Sequence, residues 1–371
     1  MDGLCPQHLT APERIEEPNY FFTMSKYQDR VREHIERSAD FIRPEGYRNE
    51  ALAMLREPLG DLCISRPKTR LEWGIELPFD RDYVNYVWFD ALLNYVSGPA
   101  SLGRRDELWA EAQHFVGKDI LKMHAIFWPT MLLAVGLPLY RHLNVGGFWS
   151  SGGQKMSKSL GNVAHPLELR DRYGIDALRY YVLRDMAFGQ DADFTEEALV
   201  TRLNADLANG LGNLASRTLA MMQRYFAGEV QPIDPREPAD TALAEAFAAE
   251  RAQLERHVGQ LAFHRGLEAV WRALDAANKY IVATAPFTLA KQEDKRPRVG
   301  AILHNCLESL RWSAQLVAPF LPETAERLRE ALGLDEPTFA DLDRPWGRAF
   351  PPGHRVGEPI SLFPRVDSKR A

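Results

Sequence analysis

Residues 83–96 read Tyr-Val-Asn-Tyr-Val-Trp-Phe-Asp-Ala-Leu-Leu-Asn-Tyr-Val. Tyr83 to Phe89 is rich in strand formers, and Asp90 to Val96 is helix-like. The chain then repeats the pattern, with His114-Phe115-Val116 followed by a helix-like Asp119 to Val135. Strand then helix, twice over, predicts a parallel sheet and an α/β fold for residues 71–150. Upstream, residues 1–70 are mixed, with an aromatic cluster at Tyr20-Phe21-Phe22 and a helix expected over Tyr27 to Ile35. Downstream, residues 151–198 open with a Gly-rich loop and carry short helices.

From about Leu199 the pattern turns all-helical. Leu203, Leu207, Leu211 and Leu214 recur at spacings of four and three, one face of an amphipathic helix. Further stripes run through Leu267, Val270, Trp271 and Leu274, and through Ile302, Cys306, Leu310 and Leu316. Residues 199–371 are therefore expected to form a helical bundle. Its connections, Gly228 to Pro238 and Lys291 to Arg298, are rich in Pro and charge. After Pro345 an irregular tail is expected.

The composition suits two or three globular domains. The chain has 371 residues, 45% hydrophobic and 26% charged, with a net charge of −6. That balance excludes a histone-like basic coat but leaves room for a local basic patch. Cys5, Cys63 and Cys306 are odd in number and far apart, as expected of reduced thiols in the cytoplasm. Met1 to Leu4 carries no secretory signal, and Ala125 to Tyr140 is too short and too interrupted by Pro129, Gly136 and Pro138 to span a bilayer. No membrane and no DNA partner is expected.

The chemistry is concentrated in Gly152-Gly153-Gln154-Lys155-Met156-Ser157-Lys158-Ser159-Leu160-Gly161-Asn162. Two lysines separated by small residues on a glycine-flanked loop can set two cations over a triphosphate. No Walker A loop is present, since the lone Gly117-Lys118 is followed by Asp119, and no G-x-G-x-x-G occurs.

Lys-Met-Ser-Lys-Ser is similar, letter for letter, to the signature loop of class I aminoacyl-tRNA synthetases. Tyr86 to Tyr95, Gly117-Lys118-Asp119-Ile120 with His124 and Trp128, Arg141 to Gly147, and Leu211 to Arg217 resemble methionyl-tRNA synthetases, in the same order. The resemblance runs from about Cys5 to Lys291. It implies the second half of a Rossmann-like catalytic fold over 71–150, preceded by a connective-peptide remnant over 1–70. A loop and stem-contact region over 151–198 and an anticodon-binding bundle over 199–371 would follow. Lys155, Ser157 and Lys158 would serve catalysis, the two lysines on ATP with Mg²⁺. Trp88, Tyr95 and Trp128 would wall a methionine pocket, Tyr95 and His124 would reach the sulfur, and Asp119 would pair with the ammonium group. Aromatic rings suit a thioether, each contact contributing roughly 0.3–1.5 kcal/mol. On the residues alone, Asp119 reads rather as the N-cap of a helix starting at Ile120, and the aromatics as core; the resemblance reverses that preference.

Asn213 and Arg217, four apart on one helix face, and Phe287 would read the anticodon of the methionine tRNA by this resemblance. The family has a tryptophan where this chain has Phe287, after Pro286, so the stack is expected to be weaker. Phe287 is also readable as bundle core. Cys5-Pro6-Gln7-His8 has the spacing of half a zinc knuckle, and with no second pair it is expected to hold no metal; zinc would belong to a complete chain. No two of the ten histidines stand three apart, so the family's His-x-Gly-His signature is missing. The chain is therefore expected to be the C-terminal part of a methionine–tRNA ligase, inactive alone. A mis-set start, an incomplete sequence and a truncated product all remain open. The rival reading is a non-catalytic tRNA-binding module derived from the same family.

Overall fold

The structure, a computed structural model, describes residues 16–156, 161–335, 341 and 343–367. It divides into two compact units between Gly147 and Phe148.

The first unit is built of short elements. β1 (Phe21–Phe22) leads into α1 (Gln28–Arg37), whose Val31 and Ile35 lie one turn apart and are fully buried. β2 (Ile42–Arg43) and α2 (Glu45–Met54) follow, and β3 (Leu62–Cys63) pairs back on β1. β4 (Ser65–Pro67), β5 (Glu76–Leu77) and β6 (Asp80–Asn85) form an antiparallel sheet in the order β4-β6-β5. Three short helices, α3 (Val87–Ala91), α4 (Asn94–Ser101) and α5 (Arg105–Ala110), lead to β7 (Gln113–Gly117). A 3₁₀ turn at Lys118–Ile120 and a π-helical turn at Met123–Phe127 then open into α6 (Trp128–Ala134), ahead of β8 (His142–Gly146). β2, β8 and β7 make a three-stranded parallel sheet in that order.

Two strand expectations therefore part company. His114-Phe115-Val116 lies in a parallel strand as expected. The strand at Tyr83 ends at Asn85, belongs to the antiparallel sheet, and Val87-Trp88-Phe89 are helical. β-branched and aromatic residues fit a half-buried surface on either element, so propensity could not separate them. Ile42–Arg43, within the stretch read as an insertion remnant, supplies an edge strand of the parallel sheet.

The second unit opens with β9 (Trp149–Ser151) and β10 (Gln154–Lys155), joined by Gly152-Gly153 with φ of 61° and 71°. A two-residue hairpin turn with positive φ at both positions needs such glycines. After α7 (Pro166–Tyr173) and α8 (Ile175–Asp185), β11 (Ala192–Asp193) pairs parallel with β9. One long helix then runs through α9 (Glu196–Arg202), a π-helical segment (Leu203–Gly212) and α10 (Asn213–Phe226). α11 (Pro238–Gly259), α12 (Phe263–Thr284), the short α13 (Pro286–Leu289), α14 (Arg296–Val317) and α15 (Pro322–Ala331) complete the bundle.

The leucine stripe at 203, 207, 211 and 214 is buried as its spacing demands, although its first three members sit on π rather than α turns. Tyr180 of α8 is fully buried in the same core as the helices beyond Leu199, so the bundle's packing starts upstream of that residue. Beyond Pro345 the described chain is irregular, yet Phe350, Val356 and Leu362 are core residues. Backbone bonds from Val356 to Gly228 and from Val230 to His354 fasten this tail to the connection after α10, and one from Gly357 to Ala331 fastens it to the end of α15. No described helix is long and apolar enough to cross a membrane.

Candidate functional site

Aromatic and imidazole rings converge in the first unit around β7 and the π-helical turn that follows it. His124 (1% exposed) and Trp128 (1%) lie on consecutive turns, and His114 (5%) projects inward from β7 beside them. Phe115, the next residue on the strand, faces outward. Tyr95 of α4 stands over all three, with ring centroids 4.3 Å from His114, 5.7 Å from His124 and 6.1 Å from Trp128. Trp88 of α3 sets its ring edge-on to His124 at 6.5 Å.

The hydrogen bonds fix the protons. His124 Nδ1 donates to the Ile120 carbonyl at 3.0 Å, because a carbonyl can only accept. Its Nε2 is thus an acceptor and takes the Tyr95 hydroxyl at 2.9 Å. Trp128 Nε1 donates to His114 Nε2 at 3.2 Å, and the buried Tyr140 hydroxyl donates to the His124 carbonyl at 2.7 Å. Burial, and second the neighbouring His124, push the His114 imidazole down to about 4; burial also lowers His124. Burial raises the Tyr95 phenol. The cluster is polar in its atoms and uncharged at neutral pH.

Asp119 is exposed in the 3₁₀ turn at the carboxyl end of β7, where ligands of open parallel sheets bind. It caps nothing: Gly117 holds the cap position and no side-chain cap bond is made. His124 is bonded to the carbonyl of the next residue, Ile120, which ties this carboxylate-bearing turn to the ring cluster.

In the second unit, the β9–β10 hairpin carries the backbone of Lys155. Asp193 Oδ1 accepts from the Gly153 amide at 2.9 Å and from Ser150 Oγ at 2.8 Å, which pins the turn to β11. Those bonds, the Gly153 amide first, hold its carboxyl below the usual range. The Lys155 side chain, Ser157, Lys158, Cys5 and His8 lie outside the described residues. Among the described residues, no group of three or more His, Cys, Asp or Glu is arranged to hold a metal ion.

The bundle carries a groove of about 790 Å³ between the π segment, α10 and α12. Asn213 and Arg217 line it together with Gly210, Trp271, Asn278 and Lys279. Phe287 sits on α13, just after α12, 47% exposed and therefore outside the core.

A family model described as tRNA synthetases class I (M) matches residues 2–219, and one for the anticodon binding domain of methionyl tRNA ligase matches residues 234–371. The chain belongs to the class I methionyl-tRNA synthetase family. It is 41% identical to the methionine–tRNA ligase of Caldanaerobacter subterraneus subsp. tengcongensis, over 100% of this chain and 58% of that protein. Against the Deinococcus radiodurans methionine–tRNA ligase the identity is 45%, over 98% of this chain and 53% of the relative. The chain thus spans somewhat over half the length of these relatives. The Mycobacterium tuberculosis methionyl-tRNA synthetase in complex with methionyl-adenylate superposes with a TM-score of 0.90 at 37% identity, covering 98% of this chain and 72% of that one. The Rossmann-like catalytic fold followed by a helical anticodon-binding region is therefore the architecture of this chain.

Sequence reasoning about this ring cluster missed His114 and Tyr140. A period-two reading of His114-Phe115-Val116 puts His114 on the inner face, which was the available signal for the first. Tyr140 lies in a connection, where no periodicity operates.

Proposed function

We propose that the chain serves methionine–tRNA ligation: activation of L-methionine by ATP, then transfer to the methionine tRNA. The observation that carries this is the cluster of neutral rings in the first unit, with an exposed carboxylate on the turn that leads from β7 into it. Trp88, Tyr95, His124 and Trp128 offer a methionine side chain polarizable faces and no charge to desolvate. Tyr95 and His124 face the sulfur, and Asp119 accepts the ammonium group. The methionine carboxylate oxygen attacks the α-phosphorus of ATP, and the bond to pyrophosphate breaks. A terminal ribose hydroxyl of the tRNA then attacks the carbonyl carbon, releasing AMP and a proton. Lys155 and Lys158 neutralise the triphosphate as charge develops on its oxygens, with Ser157 between them. Magnesium would be carried mainly by phosphate oxygens and water. Zinc has at most Cys5 and His8, short of the four ligands a structural site takes. These substrates belong to the cytoplasm.

Asn213, Arg217 and Phe287 supply the anticodon contacts, an amide and a guanidinium for base edges and a ring for stacking. The boundaries that go with this reading are a catalytic half ending near residue 150 and a loop region up to about residue 198. The self-contained core of the second unit favours one rival, a tRNA-binding module without catalysis.

The test is L-methionine binding, followed by methionine-dependent ATP–pyrophosphate exchange. Asp119→Asn should weaken methionine binding about 10- to 100-fold, the effect of a hydrogen bond to a charged group of ~1.5–3 kcal/mol. Unchanged binding would remove the ammonium assignment. Specific binding of the methionine tRNA with no L-methionine binding, and no exchange even when the N-terminal region of the relatives is supplied as a separate chain, would favour the rival.

A further inference from the structure

The helix that carries Asn213 and Arg217 does not run as a simple α-helix. Between α9 and α10, ten residues, Leu203–Gly212, follow the π pattern of i→i+5 bonds. π turns are rare, usually single, and frequent at functional sites. Here the glycines of Asn209-Gly210-Leu211-Gly212 mark where a side chain would be tight. A Cβ on Gly212 would lie 3.2 Å from the Leu207 carbonyl oxygen, which the widened turn pushes inward. A Cβ on Gly210 would lie 3.2 Å from Trp271 Nε1 and 3.7 Å from its Cδ1. Trp271 is wedged there by bonds of its own. Its Nε1 donates to the Asp206 carbonyl at 3.1 Å, and its ring packs on Tyr180 with centroids 4.5 Å apart. The Asp206 carboxylate is held in turn by the Tyr180 hydroxyl at 2.9 Å and by Arg202 at 3.2 Å. The wedge grips the π segment from outside, and Gly210 shares a helix face with Asn213 and Arg217, three and seven residues on.

We infer that Trp271, seated against Gly210, is a positioning residue for anticodon discrimination: it holds the π turns that set the direction in which Asn213 and Arg217 face. The inference rests on the anticodon reading of those two residues. The π and α patterns differ in residues per turn, so relaxation of this segment to α would rotate everything downstream about the helix axis. Gly is a poor helix former, and replacing it by Ala favours regular α-helix. Gly210→Ala therefore pushes toward the α pattern while crowding the indole. A purely structural role would move stability but leave the choice between anticodons intact.

The experiment measures dissociation constants of the full chain for the methionine tRNA and for the same tRNA with a swapped anticodon, alongside helix content and thermal unfolding. Gly210→Ala should lower the discrimination ratio tenfold or more, chiefly through weaker cognate binding. Trp271→Phe, which keeps a ring but removes the donor, should lower it about threefold. The double variant should return to the Trp271→Phe level, because phenyl has no atom at the Nε1 position. Arg217→Ala is the control for the parent reading. If it leaves the ratio unchanged, the anticodon reading itself fails. If it abolishes discrimination while Gly210→Ala stays within twofold of wild type, the positioning role alone is overturned. Should Gly210→Ala lose helix content, the double variant decides: a recovered ratio supports the wedge, and a persistent loss refutes it.

Discussion

Residues 16–147 and residues 148–367 bury their apolar side chains in different ways. In the second unit, helices of 14 to 22 residues close around one core from Ala177 to Leu362, and even the irregular tail contributes to it. In the first, elements of two to ten residues surround a smaller core. Of the large hydrophobics left exposed, all but Leu167, Val282 and Phe287 belong to this first unit, among them Trp73, Phe79 and Phe115. The polar groups differ as well. The bundle core holds an ion pair with every oxygen occupied, whereas the first unit holds neutral imidazoles bonded to indole and phenol. One interior is closed around a charged pair, and the other around neutral rings.

The largest effect should come from breaking the bundle's Asp240–Arg298 ion pair, buried there as Glu308–Arg311 also is. Arg298 donates twice to Asp240, at 2.5 and 2.9 Å, and the Tyr280 hydroxyl donates to the same carboxylate at 2.5 Å. Burial alone would raise the Asp240 carboxyl, but the Arg298 and Tyr280 bonds outweigh it and the group titrates below its ordinary value. A depressed carboxylate contributes stability at neutral pH and loses it only as pH falls through that lowered value. Arg298→Ala leaves Asp240 buried without its countercharge and should cost about 3–5 kcal/mol. In urea unfolding, only a transition carrying the helical signal should move. An equal shift in the tryptophan and tyrosine fluorescence of the first unit would show that the two units do not unfold separately.

Legibility followed the same division. Leu207, Leu211, Leu267 and Leu310 could be assigned to a core from spacing alone, because a helix of several turns repeats its address often enough to be read. Tyr83 to Phe89 offered no such repetition: a strand of six residues and a helix of five left no period to detect. The pocket was half legible. Trp88, Tyr95, His124 and Trp128 came through family motifs, but the π turn that sets His124 against Tyr95 has no sequence signature of its own. In the bundle, spacing gave no reason for the glycines at 210 and 212; the Trp271 indole beside the first and the Leu207 carbonyl beside the second supply one.

A second and smaller effect tests the neutral interior of the first unit. His114 titrates at about 4 because burial, then His124, disfavours its charge, while an unfolded histidine titrates near 6.5. The unfolded chain therefore binds the extra proton first, and stability falls as pH drops from about 6.5 toward 4. The loss is on the order of 3 kcal/mol. Protonated Nε2 can no longer accept the Trp128 N–H, so the same titration should appear in indole fluorescence. His114→Gln offers a neutral acceptor and should flatten that part of the curve. His304, lowered by burial in the second unit, gives a slope of the same sign, so the difference between variant and wild type is the quantity to read. Identical pH profiles for the two proteins would show that His114 does not set the acid limit of the first unit.

The smallest expected change in stability falls on Phe287, and there the comparison is sharpest. It is one of the few large apolar side chains the bundle leaves outside, 47% exposed on a four-residue helix entered through Ala285 at φ 42°. A core residue of that size would cost about 3–5 kcal/mol on truncation to Ala. A half-exposed one should cost the fold little, within roughly 0.5 kcal/mol. Its effect should instead appear in binding, since a base stacked on an aromatic ring contributes about 1–3 kcal/mol. Phe287→Ala should therefore weaken binding of the methionine tRNA by roughly 5- to 150-fold and leave the melting temperature in place. Phe287→Trp should match or exceed wild-type affinity, because indole presents more surface and adds an N–H donor. A fall in melting temperature with unchanged tRNA discrimination would make Phe287 a packing residue, and the second unit would then bury for stability at this edge too.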